Sequence, residues 1–200
     1  SEVGSIRWTS SVTNYNTSTL QKFDGVFRYS KLVGLIDDVD DSVVSNITTV
    51  KIRKPFTPTL NSSARYDIYF RNAFYNPHTG HNADMGGILT SSGFKVSGST
   101  NEMFLDDDGA GNVRRYYLDD SGVKTYDNTT QGTINYATGQ ITINSLSVTS
   151  ISNIRGSTST VIELTVIPNS NDIVPVRNTV VEIDVSNSSF LVEQDNFVGG

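Results

Sequence analysis

The 200-residue sequence contains no cysteine, which excludes disulfides and thiolate metal sites at the outset. It has no apolar run near the roughly 20 residues that a membrane-crossing helix needs. The opening SEVGSIRW has neither a positive n-region nor an apolar h-region. Positive charge is in short supply as well, with 15 Lys and Arg against 21 Asp and Glu, a net charge of −6 and a pI near 4.8. The absence of a basic run argues against nucleic-acid binding, which counterion release would drive, and attraction to an anionic membrane surface is not expected on the same ground. Neither a GxSxG elbow nor a Gly-rich phosphate loop is present, and no repeat of fixed period is visible. Leucine is scarce, while Ser, Thr, Asn and Gly are abundant, a balance that favours strands and turns over helical bundles.

Against that background residues 27–54, FRYSKLVGLIDDVDDSVVSNITTVKIRK, carry the one helix that the pattern predicts. Leu32, Leu35, Ile36, Val39 and Val43 recur at steps of three and four and form one stripe, with Asp37, Asp38, Asp40 and Asp41 facing elsewhere. Ser30 is placed to cap its start. After Asn46 the period changes to two, so Thr48, Val50 and Ile52 read as one face of a strand. A single amphipathic helix among strands is expected to bury its stripe on a sheet, here against the strand Thr48 to Lys54.

The rest reads as strand and turn. The start, with Val3, Ile6 and Trp8, resembles a strand interior, and Ser1 in place of Met points to a piece of a longer polypeptide. Thr9 to Gly25 reads as a polar connection. Strands are expected at Arg65 to Phe70, Ile88 to Val96, Met103 to Leu105, Val113 to Leu118, Val123 to Tyr126 and around Ile162, Leu164 and Val166. In TINYATGQITIN a two-residue Thr138-Gly139 loop would set Tyr136 against Ile141 and Ile134 against Ile143. A last strand, Val181, Ile183 and Val185, has an apolar face opposite Val180, Glu182 and Asp184, and is the candidate self-association strand. The fold class is therefore mainly β (α+β), an antiparallel sandwich or barrel-like domain with one amphipathic helix on a sheet. The expected units are a helix-plus-strand part over 1–60, a β-rich part over 61–168 and C-terminal strands over 169–200.

Candidate chemistry is thin. Asp106, Asp108 and Gly111 imitate the opening of a calcium loop, but Ala110 and Tyr117 stand where an oxygen ligand and a bidentate Glu are needed. A solvated hairpin tip is the expectation there. His78, His81 and Asp84 have zinc-ligand chemistry, yet their spacing matches no helical zinc motif and no fourth ligand can be named. Asp119 and Asp120 read as solvated surface. No catalytic residue, metal or cofactor is expected. Aromatic strands such as RRYYL and RYDIYF leave a second reading open, a calcium-assisted adhesin or glycan-binding sandwich.

Several blocks in succession carry a resemblance: FDGVFRYSKLVGLIDDVDDSVVSNITTVKIRK, GGILTSSGFKVSG, FLDDDGAGNVRRYYL, GTINYATGQITINSL and PNSNDIVPVRNTVVEIDV. In order and content they resemble the baseplate wedge proteins, gene product six, of T-even-like contractile-tailed bacteriophages. That resemblance implies a structural protein of the virion tail, assembled in the host cytoplasm, with no catalytic residues. It also implies a homodimer that joins into a ring around the hub, with other baseplate wedge proteins as partners.

Overall fold

Between residues 50 and 170 short runs of two-residue alternation between apolar and polar side chains recur, and these runs form antiparallel strands. The computed structural model describes residues 2–22, 25–39, 46–81, 87–175 and 180–189. They fall into two compact units, one made of residues 1–49 with 171–200 and the other of residues 50–170. The first boundary thus precedes the first strand instead of following it, and the C-terminal segment belongs to the same unit as the N-terminal helices.

The larger unit holds a three-stranded sheet and a barrel. The sheet has the order β1 (Ile52–Phe56), β9 (Ile162–Val166), β3 (Thr90–Ser91). The barrel closes through β4 (Phe94–Val96), β5 (Met103–Asp107), β6 (Asn112–Leu118), β7 (Lys124–Asn135) and β8 (Gln140–Ile151). A further strand, β2 (Ser63–Tyr69), pairs with β8. Phe94, Leu105, Val113, Ile141, Ile143 and Val148 fill the interior with no exposed surface, and Ile162 and Leu164 of β9 join the same core. The mainly β, barrel-like class is the observed one. The β7–β8 hairpin differs from the two-residue expectation. Ile134 faces Ile141 and Asn135 faces Gln140, so the loop is the four residues 136–139. The reason is local hydrogen bonding: Gly139 N donates to Asn135 O at 2.9 Å and Thr138 N to Asn135 Oδ1 at 3.0 Å. A shift of two residues keeps every side chain on its own face, so burial alone does not choose between the registers.

In the other unit the largest correction is a helix. Residues expected as strand and polar connection form α1 (Glu2–Tyr15), which continues as a π-helical turn, Asn16–Leu20. Trp8, Val12, Tyr15 and Leu20 are buried along it. That stripe is sparse and set among Ser, Thr and Asn, residues that favour turns over helix in isolation, so packing and not propensity makes this helix. The helix predicted from the sequence is α2 (Tyr29–Asp37), where Leu32 and Ile36 are buried and Leu35 half-buried, with Val39 buried just beyond it. Val43 lies outside the described residues. The lone-helix premise does not hold, because α2 packs on α1. Tyr15 and Phe27 rings meet at 6.4 Å, and Lys31 Nζ lies 5.4 Å from the Tyr15 ring. Ser30 is inside the helix and does not cap it. Asp172 does so from the far end of the chain, accepting Tyr29 N at 2.8 Å and pairing with Arg28 Nη1 at 2.9 Å. Residues 46–51 have no regular structure, so the strand expected from Thr48 starts only at Ile52.

The C-terminal segment is stitched back onto these helices. Phe27 and Ile173 exchange two backbone hydrogen bonds of 3.0 Å. The strand expected over Val181, Ile183 and Val185 is absent: residues 181–184 have no regular structure and Val185–Asn187 form a 3-10 turn. The backbone of Ile183 is engaged within the unit, since its N–H donates to Asn16 Oδ1 at 2.8 Å and its carbonyl accepts from Asn16 Nδ2 at 3.2 Å.

Candidate functional site

The densest polar chemistry among the described residues lies on the β5–β6 hairpin, where three consecutive carboxylates have three different jobs. Asp107 shares the inward face of β5 with Met103 and Leu105 and has no exposed surface. Its Oδ1 accepts Ile88 N at 2.7 Å and Leu89 N at 2.8 Å, and its Oδ2 accepts Gly109 N at 3.2 Å and the Tyr136 hydroxyl at 2.6 Å. All four donors are uncharged, so a buried carboxylate is held by dipoles alone. The backbone is fitted to it: Gly87 has φ +69°, and a Cβ there would fall 2.0 Å from Asp107 Oδ1. Burial first, and then the bond to Asp107, push the Tyr136 phenol far above its ordinary value.

Asp106 points to the other face and is also fully buried. The register sets Asp106 opposite Arg114, Phe104 opposite Tyr116 and Tyr116 opposite Tyr126. Arg114 Nε donates to Asp106 at 3.0 Å, Lys124 Nζ at 2.9 Å and the Tyr126 hydroxyl at 2.8 Å. Each cation also covers an aromatic face, Arg114 over Tyr126 and Lys124 over Tyr116, both at 4.3 Å. Burial and then Asp106 push the Tyr126 phenol up to about 12. Asp108 closes the turn, accepting Ala110 N at 2.8 Å, Asn112 N at 2.9 Å and Asn112 Nδ2 at 2.6 Å. Partial burial raises its carboxyl, but the bonds from Asn112 and Ala110 together bring it below the usual range.

The expectation of a solvated tip is therefore corrected at Asp106 and Asp107, and the calcium-loop reading gains no support because protein donors already occupy all three carboxylates. A signal was available in the sequence. An acid two and four residues from Leu105 and Met103 in one strand lies on the apolar face. Nothing comparable marks Tyr136, Lys124 or Tyr126 as its neighbours' partners.

Beside this hairpin runs the loop of the two histidines. Gly80 N and Asn76 Nδ2 both donate to Gly109 O, at 2.9 and 3.3 Å. Gly109, with φ +70°, lets the loop close in, since a Cβ there would lie 2.3 Å from His81 O. His78 Nε2 and His81 Nδ1 come within 3.1 Å, their rings nearly perpendicular. Asp84, the third member of that set, lies outside the described residues. A polar groove of about 570 Å³ lies along this end of the barrel, lined by Asn76, Thr79, Ala110, Asn135, Tyr136 and Gln140 among others. Asp119 is a turn carboxylate that accepts Ser121 N and Val123 N, each at 2.9 Å. None of the described helices is long and apolar enough to cross a membrane.

The chain matches no curated protein. Its residues 7–55 match the family model for baseplate structural protein gp6, C-terminal domain III. The matched segment contains most of α1, all of α2 and β1 except Phe56, while the barrel lies outside it. Over that segment the chain is similar to the C-terminal domain III of baseplate structural protein gp6.

Proposed function

We propose that this chain is a structural wedge component of the baseplate of a contractile phage tail, with no catalytic role. In this reading it associates with a second copy of itself as a two-fold dimer and, by a further contact, into a ring that joins wedges around the hub. Other wedge proteins are its remaining partners, and it is built into the virion in the host cytoplasm. The carrying observation is the gp6 family match across both helices of the smaller unit. Among the described residues of that unit Ile47, Val174 and Val180 stand in solvent, at 99%, 54% and 49% exposure, and Ile47 lies within the matched segment. Apolar surface left in water by the monomer is what a self-contact would cover. We assign the contact to the segment around Ile47.

Cryo-electron microscopy of tails from the encoding phage tests the reading. The expected result is this chain in the baseplate in several rotationally related copies. Intact baseplates that lack the chain would overturn it.

A further inference from the structure

The two histidines carry an inference independent of the baseplate reading. They stand three apart in His78-Thr79-Gly80-His81, a turn closed by His81 N donating to His78 O at 3.1 Å. Gly80 supplies the positive φ, +80°, that brings the two side chains to the same side. The turn is held at both levels: its backbone is pinned to Gly109, which in turn donates to the buried Asp107. His81 is half-buried with its ring edge-on to Tyr75 at 5.4 Å.

The ring nitrogens lie close enough to share one metal after a modest turn of the rings. His78 Nδ1 lies 3.2 Å from Thr79 O, an acceptor, so Nδ1 carries the hydrogen and Nε2 presents its lone pair. A ligand imidazole with its second nitrogen fixed on a backbone carbonyl is the usual arrangement around a metal. That lone pair faces His81 Nδ1 across 3.1 Å. Two nitrogens at that separation, each about 2.05 Å from a common metal, subtend about 98° there, between the square-planar and tetrahedral angles. Without metal, His81 Nδ1–H donates to His78 Nε2. On binding, that hydrogen passes through solvent to His81 Nε2, the second lone pair turns to the metal and no net proton is released.

We propose that His78 and His81 form a two-imidazole site for a late first-row divalent cation, of the zinc, nickel or copper class. Water completes its coordination, since no group of three or more His, Cys, Asp or Glu is set to hold a metal among the described residues. Imidazole pairs select these ions over calcium and magnesium, which want oxygen.

Isothermal titration of the full chain, without an affinity tag, with nickel alone and then zinc alone is the test. One cation per chain is expected, with affinity falling at least tenfold in His78→Asn and in His81→Asn, and no heat from calcium. Nitrogen-15 spectra should show His78 Nε2 and His81 Nδ1 shifting together on zinc addition. Both residues are on an anchored surface turn, and circular dichroism of the variants should match the parent. Equal binding by the parent and the double variant, or no binding by the parent at millimolar metal, would overturn the site.

Discussion

Asp107 shows what a single buried acid does here. Removing its carboxylate leaves three buried backbone N–H groups, and the half-buried Tyr136 phenol, without their acceptor. Each unmet buried donor costs about 1–3 kcal/mol. Asp107→Ala should therefore lower stability by at least about 3 kcal/mol. Asp107→Asn keeps the shape but turns an amide group toward two donors, so it should cost about 2–4 kcal/mol. Tyr136→Phe leaves the carboxylate three partners and should cost about 1.5–3 kcal/mol. Denaturant unfolding gives all three, and the order Ala, Asn, Phe is the prediction. Tyr126 makes a second prediction, in alkali. Its folded value is raised to about 12 against about 10 in an unfolded chain. The stability it contributes is therefore complete below about pH 10 and is lost as pH rises toward 12. Melting temperatures between pH 8 and 11.5 should fall more steeply for the parent than for Tyr126→Phe. Much of this was readable in advance only as a misfit, an acid on the apolar face of β5. Its partners come from its own β5–β6 turn, the β7–β8 turn and the 87–89 segment, and strand pairing along the chain brings them together.

Among the elements, those with dense periodicity were legible and those made by packing were not. The alternation in Ile162, Leu164 and Val166 gives β9 directly, and the stripe through Leu32 and Ile36 gives α2. By contrast the described side chains of α1 bury Trp8, Val12 and Tyr15 within a Ser- and Thr-rich stretch, and the helix packs on α2 and on the chain's other end. The C-terminal segment failed as a strand for a related reason. Its backbone partner is not a strand but the amide of Asn16, which mimics one by both donating and accepting at Ile183. Asn16 is buried at 8% exposure, so Asn16→Ala leaves that pair of backbone groups unmet. The expected cost is about 1–3 kcal/mol, with faster proteolysis within residues 180–189 than in the parent. Unchanged cleavage there would show that other contacts hold the segment.

At the level of the whole molecule, the two ends of the chain form one unit and the middle forms the other. No local pattern announces that nesting, because the contacts join residues more than 140 positions apart, as in Arg28 with Asp172. The barrel class followed from the run of short strands. The baseplate reading came from the order of sequence blocks, of which the family match supports the part over residues 7–55. What that reading demands of the chain in solution is self-association. Light scattering across a concentration series measures it most directly. The account predicts a mass that rises to twice the 21.8 kDa of one chain, and an Ile47→Asp variant that dimerises at least tenfold more weakly while unfolding at the parent's denaturant midpoint. A mass of 21.8 kDa at every accessible concentration would contradict it.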